Sequence, residues 1–140
     1  QLSWGNAGAQ AALTGKLGEF VAFKYFAARV GERSVKWVNE ASETGLPYDL
    51  LVGNEENGWE YVEVKATKSR SATRDLAFIS VREWQFAFEK GESFSIAHVI
   101  LLDDNTARVT TYKNPVKLCQ LGKLRLAVFM PRQPELSNLY

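Results

Sequence analysis

The strongest constraint on the fold is an alternating segment, WEYVEVK at 59–65, that directly follows the turn-forming segment NEENG. This alternation predicts a β-strand with two faces, Trp59, Tyr61, Glu63 and Lys65 on one and Glu60, Val62 and Val64 on the other. The segment before the turn, YDLLVG, carries Asp49 and predicts a second strand. Because a short turn joins neighbouring antiparallel strands, the two strands are expected to bring Asp49 beside Glu63 and Lys65.

The rest of the chain predicts helices and strands around this hairpin, in one α/β domain with a mixed sheet. Apolar residues at helical spacing over 15–30 predict a largely buried helix before the hairpin. After the hairpin, Ser80 and Glu83 form a capping box that begins a second helix over 81–90. The remaining predicted elements are strands at 34–39, 94–102, 107–113 and 126–130 and a short helix at 115–121.

Two carboxylates and an ammonium group at one point of a sheet suit metal-assisted hydrolysis of a phosphodiester bond. Asp49, Glu63 and the backbone carbonyl of Val64 would supply the oxygen ligands that Mg²⁺ prefers, with Mn²⁺ as a substitute. The ion would polarise the phosphoryl group and lower the pKa of a bound water molecule. Lys65 would position or deprotonate that water, or stabilise charge on the phosphorus.

Glu19 extends this candidate site, because it lies in a helix whose apolar face must pack on the sheet. A carboxylate in such surroundings needs a partner, and a place on the metal side, reached through water, supplies one. A solvent-facing acid near the start of the helix, where the helix dipole favours negative charge, is the alternative. For Glu63 and Lys65 the alternative is an exposed ion pair on a strand, although this E-x-K is the only one in the chain.

The formal net charge of +1 does not by itself indicate a nucleic-acid-binding protein, which is typically strongly basic. The charges are, however, segregated along the chain. The segments 65–74 and 105–134 contain basic residues and no acids. The carboxylates concentrate between Glu19 and Asp104. Basic segments beside an acidic centre suit a polyanion, although solvated surface charge explains them equally well. The predicted nucleic-acid-binding residues are Thr67, Lys68, Arg70 and Arg74.

Composition excludes several classes of protein. With 46% hydrophobic and 24% charged residues, the chain is typical of a globular domain rather than of a disordered chain. No apolar stretch approaches the roughly 18 residues of a membrane span, so no membrane partner is expected. The single cysteine, Cys119, excludes an internal disulfide framework, and the N-terminus lacks the features of a signal peptide. Both observations favour an intracellular protein.

Five short motifs, taken together, resemble the nuclease-like domain at the C-terminus of plant NO VEIN proteins. They are G-x-x-G-E at 15–19, W-V-N at 37–39, P-Y-D at 47–49, E-V-K-A-T at 63–67 and F-I-S-x-x-E-W at 78–84. The resemblance covers roughly residues 14–130. It implies the PD-(D/E)XK, or restriction-endonuclease-like, superfamily, with an αβββαβ core and a mixed sheet flanked by helices. One difference from the superfamily pattern is Tyr48, which separates Pro47 from Asp49.

The resemblance implies a Mg²⁺-dependent endonuclease that hydrolyses DNA, as a module of a longer nuclear protein. Asp49 and Glu63 match the acids of the motif, Lys65 matches its lysine, and Glu19 matches the acid of the first helix. The alternative is a catalytically inactive domain of the same fold, which binds nucleic acid or docks other parts of the parent protein.

The expected domain organisation follows from the same resemblance. The nuclease-like domain is expected at 15–132, between an N-terminal extension at 1–14 and a C-terminal tail at 133–140. Its expected partners are double-stranded DNA, other regions of the parent protein and a second copy of the domain, since many nucleases of this superfamily dimerise.

Overall fold

The computed structural model describes residues 4–130, with side chains from residue 8 onward. The elements are α1 (Trp4–Val30), β1 (Val35–Trp37), β2 (Leu50–Asn54), β3 (Gly58–Lys68), α2 (Val81–Lys90), β4 (Phe94–Leu101), β5 (Ala107–Lys113) and α3 (Pro115–Gln120). Short 3₁₀ turns, Glu32–Ser34 and Gly91–Ser93, precede β1 and β4. Within the described residues, no helix is both long enough and apolar enough to cross a membrane.

The five strands form one sheet in which each strand pairs with its neighbours in sequence. The pair β3 and β4 is parallel and the other three pairs are antiparallel, which confirms the predicted mixed sheet. A parallel pair needs a crossover connection, and α2 lies in that connection. The structure is therefore an α/β domain with helices around a five-stranded mixed sheet.

The core lies between α1 and one face of the sheet. Gly18 allows the close approach of the helix, because a Cβ at this position would overlap the Cβ of Ala66 in β3. The buried apolar side chains of this core are Ala22, Val35, Leu50, Val52, Val62, Val64, Ala97 and Val99. On the second face, α2 packs near the start of β4, where the ring of Phe86 lies 5.0 Å from that of Tyr61 and 5.9 Å from that of Phe94.

Several predicted boundaries are confirmed and others are not. The bounds of α2 and β5 are those predicted, whereas β1 is shorter than 34–39 and β3 extends three residues beyond Lys65. The first helix begins at Trp4 rather than at residue 15, because the segment 4–14 contains four alanines, which favour helix. The helix thus crosses the predicted boundary after 1–14, and the predicted tail, 133–140, lies outside the described residues.

The predicted last strand at 126–130 is wrong. This segment joins none of the five strands, and Val128, Phe129 and Met130 are each at least 75% exposed. A short apolar segment forms a buried strand only if it pairs with the edge of a sheet. Hydrophobicity in the sequence does not show whether such a pairing forms.

Candidate metal centre

Asp49 and Glu63 meet where β2 begins. The pairing of β2 with β3 places Leu50 opposite Val62, so the next position outward places Asp49 opposite Glu63. The Asp49 backbone N–H donates to the Val62 carbonyl oxygen at 2.8 Å, and the Val64 N–H donates to Asp49 Oδ2 at 2.7 Å. The two acids that the sequence singles out are therefore neighbours in the structure.

The Glu63 carboxyl group is almost completely buried, with 5% of the residue exposed. Burial, the hydrogen bond to Asp49 and the negative charge of Asp49 together raise the pKa of Glu63 to about 11. At neutral pH the Glu63 carboxyl group therefore keeps its proton and donates it to Asp49. Because Glu63 is buried, the exposed ion pair considered from the sequence does not describe this strand.

Lys65 lies between two carboxyl groups on the second face of the sheet. Its Nζ is 4.0 Å from Glu63 Oε1 and 3.1 Å from Glu83 Oε1. The predicted capping box of α2 is confirmed, and it places Glu83, whose Oε1 also accepts from the Ser80 N–H at 3.0 Å. Burial raises the pKa of Glu83, but the Ser80 hydrogen bond and the Lys65 ammonium group outweigh it and lower the pKa. The ammonium group is therefore held inside the site.

Glu19 has a protein partner that the sequence did not predict. The residue is only 9% exposed, so the solvent-facing alternative is wrong, and Trp37 Nε1 donates to its Oε1 at 2.9 Å. Burial raises the pKa of Glu19, the Trp37 hydrogen bond partly offsets this, and the charge of Asp49 raises it again. Glu19 is thus close enough to Asp49 for the charge of Asp49 to raise the pKa of Glu19. The Glu19 carboxyl group accepts its hydrogen bond from the Trp37 indole N–H.

Asn39 belongs to the site but was not among the predicted site residues. It is 3% exposed, and its Nδ2 donates to Asp49 Oδ1 at 2.8 Å. Its Oδ1 accepts from both the N–H and the hydroxyl group of Thr44, and Lys16 Nζ donates to its backbone carbonyl oxygen. Asn39 therefore fixes one side of Asp49. The W-V-N motif contains this residue, as F-I-S-x-x-E-W contains Glu83, so both could have been found from the motifs.

Two acids and one carbonyl group can serve a cation at this point. The Val64 carbonyl lies on the Asp49 side of β3, because the N–H and C=O of a residue in a strand point the same way. Over residues 8–130, no three His, Cys, Asp or Glu side chains lie close enough together to hold a metal ion. Mg²⁺ is usually held by one or two carboxylates and several water molecules, so Asp49, Glu63 and the Val64 carbonyl fit this ion once Glu63 releases its proton, which binding of the cation favours.

The four predicted nucleic-acid-binding residues do not form one surface. Thr67 lies on the same face as the candidate centre, whereas Lys68, the next residue of β3, points to the opposite face. Arg70 and Arg74 follow the strand, and each has an aspartate partner, at 2.7 Å and 3.9 Å respectively.

Comparison with known proteins assigns the chain to a family. Residues 18–112 match the family described as Protein NO VEIN, C-terminal, a range that includes all of the site residues above. The chain belongs to the NO VEIN C-terminal domain family. It is 58% identical to Protein NO VEIN and 55% identical to Protein NO VEIN-LIKE, both from Arabidopsis thaliana, over 132 residues in each case. Each alignment covers 94% of this chain.

The NO VEIN relatives are much longer than this chain. The chain spans 5% of the length of Protein NO VEIN and 20% of the length of Protein NO VEIN-LIKE. No solved structure matches it.

Proposed function

We propose that this chain is a Mg²⁺-dependent endonuclease module of the PD-(D/E)XK superfamily that hydrolyses phosphodiester bonds of double-stranded DNA. The observation that carries the proposal is the meeting of Asp49, Glu63 and Lys65 where β2 begins. The order α1, β1, β2, β3, α2, β4 and the mixed sheet support a restriction-endonuclease-like core.

The side chains of the site have separate roles in the proposed reaction. Asp49 and Glu63, with the Val64 carbonyl, would hold Mg²⁺, which polarises a phosphoryl group and acidifies bound water. Lys65 projects its ammonium group from the same face and stabilises the negative charge that develops on the phosphate oxygens. Glu83 keeps Lys65 in place through the 3.1 Å contact. Asn39 keeps Asp49 in place from the other side.

The proposal places the module in a longer protein, because its relatives are many times its length. The parent protein is proposed to be nuclear, because the proposed substrate is DNA. The other parts of that protein and a second copy of the domain are proposed partners. Mn²⁺, which accepts the same oxygen ligands, is proposed as a substitute for Mg²⁺.

One observation favours a second candidate function, a nuclease-like domain that binds nucleic acid or protein without cleaving. Both carboxylate oxygens of Asp49 already accept hydrogen bonds, from Asn39 Nδ2 at 2.8 Å and from the Val64 N–H at 2.7 Å. In such a domain Asp49 would serve as a structural acid that stabilises the ends of β1 and β2.

Conversion of supercoiled plasmid to the nicked form in Mg²⁺ or Mn²⁺ separates the two functions. The wild type is expected to nick the plasmid, and Lys65→Ala to nick it about 100-fold more slowly, since it removes a charge that stabilises the transition state. Lys24→Ala is the matched control, because Lys24 is an exposed lysine of α1. Asp49→Ala is expected to be inactive, and its circular dichroism spectrum reports whether it remains folded.

The two outcomes have clear consequences. Nicking that needs the divalent ion and Lys65 supports the nuclease. A wild type that leaves the plasmid intact would contradict the nuclease proposal and favour the inactive domain. Nicking at the same rate by Lys65→Ala and Lys24→Ala would do the same.

A further inference from the structure

The face of the sheet that carries Lys65 continues across β4 and β5. The strand registers place Lys65 beside His98, and His98 beside Thr110, so these three residues form one row across the sheet. The neighbouring row on the same face consists of Thr67, Ile100 and Arg108.

His98 supports the loop that follows β3 rather than facing a ligand with Nε2. The Thr67 hydroxyl group has one hydrogen, which it donates to the Arg74 carbonyl oxygen at 3.0 Å. The hydroxyl oxygen must then accept from His98 Nε2, which lies 3.0 Å away. The Thr67 and His98 side chains are therefore both engaged in holding the loop. Beyond Lys65, the exposed hydrogen-bond donors of the two rows lie on β5.

Arg108 and Thr110 are these donors, and both are exposed. Whereas Arg70 and Arg74 are paired with aspartates, no carboxylate oxygen of residues 8–130 lies within 4.0 Å of the Arg108 guanidinium nitrogens. A guanidinium group and a hydroxyl group, two residues apart on one face of a strand, are typical ligands of phosphate oxygens. Arg108 also belongs to the segment 105–134, which has no acidic residue.

We propose that Arg108 and Thr110 bind the sugar–phosphate backbone of the DNA strand whose scissile phosphate lies at Lys65, an inference that rests on the proposed nuclease function. Strands spaced about 4.8 Å apart put Thr110 about 10 Å from Lys65 across the sheet. At about 3.4 Å per nucleotide of one strand, the contacted phosphate lies about three nucleotides from the cleaved bond. Phosphate contacts carry no sequence information, so this pair orients the strand without selecting a sequence.

Binding of a labelled DNA duplex, measured by fluorescence anisotropy in Ca²⁺ over a range of KCl concentrations, tests the pair. Arg108→Gln is expected to weaken binding at least about tenfold, since a hydrogen bond between charged groups is lost. The slope of log affinity against log salt should fall by about 0.9. Thr110→Val is expected to weaken binding about threefold with an unchanged slope. Arg33→Gln, which removes the same charge from the exposed turn before β1, is the matched control.

Duplexes with a single neutral methylphosphonate locate the contact. A methylphosphonate about three nucleotides from the nick should weaken binding by the wild type and leave Arg108→Gln unaffected. Equal losses in Arg108→Gln and Arg33→Gln would overturn the contact, while Mg²⁺-dependent nicking that needs Lys65 would leave the nuclease intact. Binding that weakens in Arg108→Gln but not in Arg33→Gln, in a protein that does not nick, would support the phosphate contact and overturn the nuclease. A wild type that neither binds nor nicks DNA would overturn both.

Discussion

Glu83 connects the structure of a helix terminus to the candidate site through one oxygen atom. Its Oε1 accepts from the Ser80 N–H, which closes the capping box, and from Lys65 Nζ. Glu83→Ala is expected to lower the free energy of unfolding by about 1 kcal/mol, because it opens the capping box. Glu83→Gln is expected to lower it by less than Glu83→Ala does, because glutamine also closes a capping box but loses the charge paired with Lys65.

Urea unfolding measures both changes. Glu89→Ala, which removes an exposed acid from the same helix, is the matched control. A Glu83→Ala variant as stable as Glu89→Ala would show that this capping box does not stabilise the fold.

At the residue scale, local pattern decided which site residues could be predicted. Glu63 and Lys65 lie two apart on an alternating strand, so their common face follows from the sequence. The bonds from Asn39 to Asp49 and from Trp37 to Glu19 span 10 and 18 residues, and no local pattern predicts which side chains meet over such separations. The hydrogen bond from Trp37 to Glu19 could not be predicted for this reason.

At the scale of the elements, one contact fixes how α1 lies on the sheet. A Cβ at Gly18 would overlap Ala66, whereas one at Gly15 would meet nothing within 4 Å. Gly18→Ala is therefore expected to destabilise the protein by about 1–3 kcal/mol through overpacking. Gly15→Ala, three residues earlier in the same helix, is expected to stabilise it by about 0.4–1 kcal/mol, because alanine favours helix.

Thermal or urea unfolding of the two variants distinguishes packing from helix propensity. If both substitutions stabilise the protein, the close packing of α1 on β3 is contradicted.

Elements marked by a capping residue or by strict alternation of polar and apolar residues could be predicted. Elements marked only by hydrophobicity could not. Ser80 and Glu83 mark the start of α2, and the predicted and observed bounds agree. The segment at 126–130 is as apolar as β4, but it lies exposed outside the sheet. Whether an apolar strand is buried depends on which sheet edge is free, and this is a property of the whole fold.

At the scale of the whole molecule, the sheet separates the apolar core from a face that carries polar and charged side chains. The face under α1 is apolar and carries the core, whereas the second face carries Glu63, Lys65, His98, Thr110 and Arg108. The net charge of +1 is the difference between 17 basic and 16 acidic residues, which lie at different positions on the molecule. Such a total is compatible with DNA binding, because affinity depends on the local arrangement of cations facing phosphates.

Isothermal titration calorimetry with Mg²⁺ tests the central claim most directly, namely that Asp49 and Glu63 form one cation site. The wild type is expected to bind one ion, and the double variant Asp49→Ala/Glu63→Ala to give no heat of binding. Glu55→Ala/Glu56→Ala, which removes two exposed acids from the β2–β3 turn, is expected to bind as the wild type does. Equal Mg²⁺ binding by all three proteins, or none by the wild type, would contradict the account.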